Sequence, residues 1–259
     1  MALKMKTILI IKYFLLSIIF CISLPLSAQQ TDKDVTIDNN QIVIKTFPNG
    51  LYGSNCYVVH CQNVGFIVDA GSNDPSIFKY ITENKIDIKN IFCTHSHIDH
   101  VLYVMNLKEF TDAKICLGAE DVNHFKYYSN ERIEEWTKNG DISEEQLQAI
   151  DKFIKIKYDS LLNGNEFFTI GEMKVEILQT PGHSKGSISL LVNGLYLFSG
   201  DTIMDNLIGN TDVDSGNEND IIKSINEKIL PLEDKIEIFQ GHGEKISMKE
   251  IRNVLNLTK

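Results

Sequence analysis

The chain has 259 residues, 43% of them hydrophobic and 23% charged, a composition that excludes disordered and collagen-like classes. Its formal charge of −10 argues against nucleic acid as a partner, because phosphate backbones are held by clustered lysine and arginine. Length alone allows one domain or two.

The first 28 residues read as a targeting segment. Lys4, Lys6 and Lys12 precede or interrupt an apolar run over 13–26, which closes at Leu26-Ser27-Ala28 before Gln29-Gln30-Thr31-Asp32. That is the layout of a secretory signal peptide, so 29–259 is expected as the mature, exported domain, periplasmic or secreted. Leu26 is larger than the small residue expected three positions before the cut. The alternative is therefore an N-terminal membrane anchor, since 7–27 is nearly long enough to span a bilayer. Cys21 follows the bulky Phe20, which disfavours lipidation. Cleavage removes three lysines and no acid, taking the charge from −10 to −13, and leaves no stable association with the membrane.

Beyond the leader the elements come in two groups. Strands are expected at 41–46, 56–60 and 66–69, antiparallel and joined by Gly/Asn turns. A helix over 74–84 follows, with Asp74 as cap and Pro75 in its first turn. A buried strand at 88–93 then runs into Thr94-His95-Ser96-His97-Ile98-Asp99-His100, and a helix-like stretch covers 101–110. After a strand at 114–117, the stretch 119–162 is helical by pattern and polar, an inserted helical cap. Its aromatics, Phe125, Tyr127, Tyr128 and Trp136, either pack those helices or line a substrate mouth. Strands at 174–178, 187–192 and 195–198 follow, the last two joined by the hairpin turn Asn193-Gly194. A helix at 220–229, a strand at 236–239 and a helix at 248–257 close the chain. Periodicity alone says only mixed α and β. Of the four cysteines past the leader, Cys93 and Cys116 suit buried small apolar positions, and Cys56 and Cys61, an odd number apart on one strand, point to opposite faces.

The chemistry is carried by histidine and aspartate. In an extended segment residues two apart point the same way, so His95 and His97 can share one metal ion, while Asp99 and His100 open a helical stretch and suit a second. Three later motifs, Pro181-Gly182-His183, Ser199-Gly200-Asp201-Thr202 and Gly241-His242-Gly243, each set a ligand-type residue close to glycine beside an apolar run. Five of the seven histidines, with Asp201, thus fall in four compact motifs, far more than a histidine-rich polar loop would explain. His60 and His124 stand outside them and read as ordinary polar residues, and Lys185 as a solvated lysine. Imidazoles mixed with a few carboxylates suit zinc(II), iron(II) or manganese(II) rather than calcium or magnesium.

The ordered set His95-x-His97-x-Asp99-His100, His183, Asp201, His242 resembles the metallo-β-lactamase superfamily, and within it the glyoxalase-II-like (hydroxyacylglutathione-hydrolase-like) branch, from about Asn55 onward. The resemblance implies an αββα sandwich of two mixed β-sheets with outer helices. A site built from both ends of the chain then requires one domain. The resemblance also implies two divalent metal ions, zinc before iron or manganese. His95, His97 and His183 would hold one, Asp99, His100 and His242 the other, and Asp201 would bridge them. The expected reaction is hydrolysis of a small ester, thioester or lactone by a metal-bridging hydroxide, with Asp99 as the catalytic group that orients the nucleophile or moves its proton. The expected partner is a small-molecule substrate; the sequence leaves the oligomeric state open.

Two departures from the branch pattern stand out. Asn210 occupies a position usually held by arginine, which weakens anion binding by that loop, and Leu102 and Tyr103 stand where the family usually has a glycine pair. The short stretch after His242 also lacks room for the helices with which glyoxalase II holds glutathione. Three other functions compete: a mononuclear iron oxygenase like the persulfide dioxygenases, a periplasmic metallo-β-lactamase, which Asp201 disfavours, and a non-catalytic binding protein.

Overall fold

The computed structural model describes residues 35–36, 42–123, 130–140 and 142–257, all within the compact unit Lys33–Lys259. The leader and its proposed cut, His124, Phe125, Tyr127 and Tyr128 lie outside the described residues. Among the described residues no helix is long and apolar enough to cross a membrane.

Two mixed sheets are built in succession. The first contains β1 (Val35–Thr36), β2 (Ile42–Phe47), β3 (Cys56–Cys61), β4 (Val64–Val68), β5 (Asp87–Cys93), β6 (Lys114–Gly118) and β7 (Ser160–Leu162), in that spatial order. Strands β1 to β4 pair antiparallel and β4 to β7 parallel. The second runs β15 (Ile246–Ser247), β14 (Glu237–Gln240), β11 (Tyr196–Gly200), β10 (Ile188–Val192), β9 (Met173–Gln179) and β8 (Phe167–Ile170). Its pairings are antiparallel except β11 with β14. A small hairpin, β12 (Ile203–Met204) and β13 (Leu207–Ile208), stands apart.

Three apolar clusters define four layers. The middle one, with Phe66, Phe92, Phe198 and Phe239, fills the space between the sheets. Cys93, Ile91 and Ile115 face the other way, onto α1 (Pro75–Glu83), α3 (Val104–Thr111) and α5 (Glu144–Phe153). Leu197 and Ile238 of the second sheet face α6 (Glu218–Ser224), its π-helical continuation Ile225–Ile229, and α7 (Met248–Leu257). This is the expected αββα sandwich. Alternation explains it: neighbouring residues of a strand buried on both faces serve different layers. Cys56 and Cys61 accordingly fall in different clusters, and all four described cysteines are free and buried.

Phe198 sits fully buried at the centre, with Tyr57 at 5.2 Å and Phe239 stacked at 5.1 Å between ring centroids. Phe198→Ala is expected to cost about 3–5 kcal/mol, read as a lower urea midpoint with an unchanged slope.

Local chemistry sets the ends of several elements. Asp74 caps α1, accepting from the Ser76 N–H, with Pro75 in the first turn. Asn193 and Gly194 both take positive φ, 50° and 65°, in the β10–β11 turn. Two expectations needed correction. The helix anticipated at 101–110 is broken into α2 (Ile98–Val101) and α3, because the Tyr103 N–H leaves the helix to bond Ala70 O. The stretch 119–162 is not helical throughout: α4 (Asn130–Asn139) and α5 are helices, but 160–162 is β7, paired with β6. Asp159 prepares that pairing by accepting from the Ile115 N–H and Lys108.

Candidate metal centre

All seven candidate residues lie at one edge of the sandwich. Strands β4 and β5 are parallel, and so are β11 and β14, while β9 and β11 are both antiparallel to β10. The C-terminal ends of each set therefore share an edge. His95, His97, Asp99 and His100 follow β5, His183 follows β9, Asp201 follows β11 and His242 follows β14.

The loops are held by backbone chemistry. Asp69, just past β4 at φ 58°, accepts from the Thr94 N–H (2.7 Å) and Thr94 Oγ1 (2.9 Å), so it fixes the start of the histidine loop. An aspartate tolerates this left-handed geometry better than most residues. Asp121 accepts from Ser96 N (2.9 Å), Ser96 Oγ (3.2 Å), Ser184 Oγ (2.8 Å) and Gly186 N (2.6 Å), tying the His95–His97 loop to the His183 loop. Asn55 reaches the last loop through its own N–H to Gly241 O and its amide to Gln240 O and Gly243 O. Two glycines are dictated by space. A Cβ on Gly241 would lie 1.9 Å from Asp201 Oδ1, and one on Gly182, already at φ 140°, 2.2 Å from Ile221 N.

The seven side chains converge. His95, His97 and His183 form one group with ligand atoms within 4.8 Å of each other; Asp99, His100 and His242 form a second; His95, His100 and Asp201 form a third that joins them. Asp201 Oδ2 is 3.5 Å from both His183 Nε2 and His242 Nε2, and Oδ1 is 3.3 Å from His100 Nε2. Asp99 Oδ2 is 3.2 Å from His242 Nε2 and 3.3 Å from His100 Nε2.

The donors fit a divalent ion, and the outer hydrogen bonds show why. His183 Nδ1 is 2.7 Å from Asn210 O, which can only accept, so this nitrogen carries the proton and Nε2 turns a lone pair inward. His100 Nδ1 is 2.8 Å from Asp69 Oδ2, which fixes a proton on Nδ1 and turns Nε2 toward the cluster. His95 Nδ1 is 3.1 Å from Thr94 Oγ1, whose own proton is committed to Asp69. Inward, His97 Nδ1 then meets His183 Nε2 at 2.8 Å, and His100 Nε2 meets His242 Nε2 at 3.2 Å. His95 Nε2 and Asp201 Oδ1 are buried with no hydrogen-bond partner. A buried imidazole nitrogen and a buried carboxylate oxygen left without a partner are costly unless a cation takes them, and imidazoles oriented by carboxylates and carbonyls are what such ions use.

Charge follows the same layout. Burial lowers His95 far below the usual imidazole range, helped by His100 and His97, and together with His97 it brings His183 down to about 3. His100 goes the other way: burial would lower it, but Asp201, Asp99 and Asp69 outweigh that and raise it. His242 is likewise raised against burial, by Asp99 and Asp201. Burial would raise Asp99, yet His100 and His242 hold it well below the carboxylate range, whereas Asp201 ends raised because its burial prevails.

Over this cluster opens a cavity of about 550 Å³, reaching from His183, Asp201 and His242 to Tyr52 and Trp136. Trp136 also packs on the core beneath α5, so it serves both roles weighed for the aromatics of this stretch. His60 pairs with Tyr80 OH (2.9 Å) in a partly buried contact outside the cluster, and Lys185 pairs with Glu120 at 2.6 Å.

Residues 49–242 match the family model of the metallo-beta-lactamase superfamily. The chain belongs to that superfamily. Membership together with its metallo-hydrolase relatives makes it a metal-dependent hydrolase, and the superfamily's use of divalent metals agrees with the donor set above. It is 30% identical over 201 residues to the probable metallo-hydrolase YqgX of Bacillus subtilis, covering 77% of this chain and 89% of that one. To the hydroxyacylglutathione hydrolase GloC of Haemophilus influenzae it is 29% identical over 202 residues, 77% and 90% of the two chains. In fold it is similar to the BLEG-1 B3 metallo-beta-lactamase, with a TM-score of 0.67 and 24% identity over 81% of this chain and 96% of that one.

Asp69, Asp121 and Asn55 did not stand out in the sequence as site residues. Asp69 had a weak signal, an acid ending an apolar strand as Asp201 does; Asp121 had none. Leu102 and Tyr103, noted above as departures from the expected pattern, are buried in the helix-side core.

Proposed function

We propose that this metallo-hydrolase is an exported enzyme that uses two divalent ions, zinc before iron or manganese, to hydrolyse a small ester, thioester or lactone. The observation that carries the reading is Asp201, whose Oδ2 stands equally far, 3.5 Å, from His183 Nε2 of one group and His242 Nε2 of the other. His95, His97 and His183 would hold one ion, Asp99, His100 and His242 the second, and Asp201 both. Such a pair, when bound, supplies a water acidified toward neutral pH and a polarised carbonyl. The protein supplies the rest. Asp69, Thr94 and the Asn210 carbonyl keep the Nε2 lone pairs of His100, His95 and His183 turned inward. Asp99 lines the cavity and is more exposed than Asp201, 14% against 5%, so it is the carboxylate placed to take a proton from the attacking water. Export rests on the N-terminal layout.

The test is elemental analysis of the metal-loaded mature protein beside His97→Ala, followed by a screen of esters, thioesters and lactones. About two metals per wild-type chain, reduced in the variant, with turnover of one substrate class, is the expected result. One iron per chain and dioxygen consumption would overturn the reading in favour of a mononuclear iron oxygenase.

A further inference from the structure

We propose that Tyr52 is a specificity-determining residue: its ring is the platform on which an apolar part of the substrate, an aromatic ring or branched alkyl group next to the scissile bond, is held over the cluster. The reaction at the scissile bond rests on the hydrolase reading; the platform stands on the turn that carries it.

Tyr52 combines two features that work against stability. Its backbone is left-handed, φ 55° and ψ 18°, a conformation that strains a bulky residue and would suit glycine. Its side chain recovers little by burial, since the residue is 78% exposed. The turn is nevertheless fixed. Within it the Gly53 N–H bonds Gly50 O at 2.9 Å and the Ser54 N–H bonds Leu51 O at 3.1 Å, while the Leu51 N–H reaches Gly71 O at 3.3 Å. Ser54 then ties the turn to two candidate ligands: its Oγ donates to Asp99 O at 2.6 Å, and its backbone pairs antiparallel with His242. The turn has no room to shift. A Cβ on Gly50 would lie 2.1 Å from Ser54 Oγ, and one on Gly71 1.5 Å from Asp99 O. Backbone strain persists where the surroundings over-determine it, and it collects where a side chain is presented to a ligand rather than packed.

The ring is presented to the cavity. Tyr52 lines it together with Leu51 of the same turn and with Ile98, which stands between His97 and Asp99. Trp136 of α4 and Ile142, just past that helix, line it too. Three separate segments thus give the cavity an apolar wall that begins at the candidate ligands, and its volume of about 550 Å³ is that of a small-molecule site. An apolar group laid on this wall leaves water, and an aromatic one also gains offset or edge contacts with the Tyr52 ring. Removing about 60 Å² of apolar surface from water corresponds to about tenfold in affinity.

The test uses metal-loaded protein and three neutral thioesters: S-methyl thioacetate, which has no ring, S-benzyl thioacetate, with a ring on the thiol side, and S-methyl phenylethanethioate, with a ring on the acyl side. Binding is read from the fluorescence of Trp136, the chain's single tryptophan, and turnover from thiol release. At least one ring-bearing ester is expected to bind about tenfold tighter than S-methyl thioacetate. Tyr52→Ala should lose most of that ratio, with the loss in Kd and KM, whereas Tyr52→Phe keeps it, and both should hold as much metal as the wild type. Tyr52→Gly should lose the ratio yet raise the urea midpoint, because it relieves the left-handed backbone; loss of a residue that serves only the fold would lower it. No preference for either ring, a ratio that survives Tyr52→Ala, or a lowered midpoint in Tyr52→Gly overturns the proposal. Tyr52-dependent binding without turnover of any thioester would uphold the platform and count against thioester hydrolysis; turnover without ring preference would do the reverse.

Discussion

Asp201→Ala is expected to lower hydrolytic activity by at least about a hundredfold, more than the loss of a residue that merely orients a ligand, and to reduce the metal bound per chain. The reasoning starts from position. Asp201 is 5% exposed and its two oxygens approach His100, His183 and His242 from one point. Removing it takes away the one carboxylate that reaches both groups and leaves imidazoles repelling one another in a buried space. The change is small in volume, and Asp201 sits after β11 rather than in the core, so folding should survive. Elemental analysis and steady-state kinetics on the same preparation check it. Two retained metals with near-normal kcat would remove Asp201 from the bridging role. Asp201→Asn sharpens the experiment: it keeps the size but replaces one oxygen by an amide that cannot ligate, so partial metal retention with a large loss of kcat is expected.

Much of this site was legible in the chain because its candidate ligand residues are chemically unusual. Histidine is scarce here, and its clustering beside glycines and apolar runs needs no tertiary information. The strands that deliver those residues, β5, β9, β11 and β14, were also readable, since they are apolar runs buried on both sides or alternating clearly. Short or exposed elements were not. Strand β8 carries Phe167 at 73% exposure, and β12 and β13 have two residues each, too few to show a period. The break between α2 and α3 is set by a hydrogen bond from Tyr103 to Ala70, a contact across the fold that no local pattern encodes. Helix α6, expected to run on to 229, changes at Ile225 to a π turn in which the Leu230 N–H bonds Ile225 O. The carboxylates behind the histidines were hidden for the same reason. An aspartate that collects backbone N–H groups from two loops looks, in sequence, like any polar residue in a turn.

Asp121 is the strongest instance, and Asp121→Ala is expected to destabilise the protein by about 3–5 kcal/mol while loosening the group made by His95, His97 and His183. It is 1% exposed and takes four donors from two loops. Two of these can recover: Ser184 Oγ already lies 2.8 Å from Ser187 Oγ, and the Ser96 hydroxyl can rotate. The N–H groups of Ser96 and Gly186 cannot, and a buried unsatisfied donor costs about 1–3 kcal/mol each, with a cavity term added. There is no slack to absorb the change, because a Cβ on Gly186 would lie 2.4 Å from Asp121 N. Asp121→Asn separates stability from positioning. Its amide oxygen can take the place of Oδ2 and keep Ser96 and Ser184, but its NH₂ then faces the Gly186 N–H, so the His183 loop is displaced even where most of the stability returns. Urea unfolding should therefore rank wild type, Asn, Ala, while metal affinity measured by competition with a chelator should already fall about tenfold or more in the Asn variant. An Asn variant with wild-type metal affinity would reduce Asp121 to a loop staple with no hold on the metal-binding geometry.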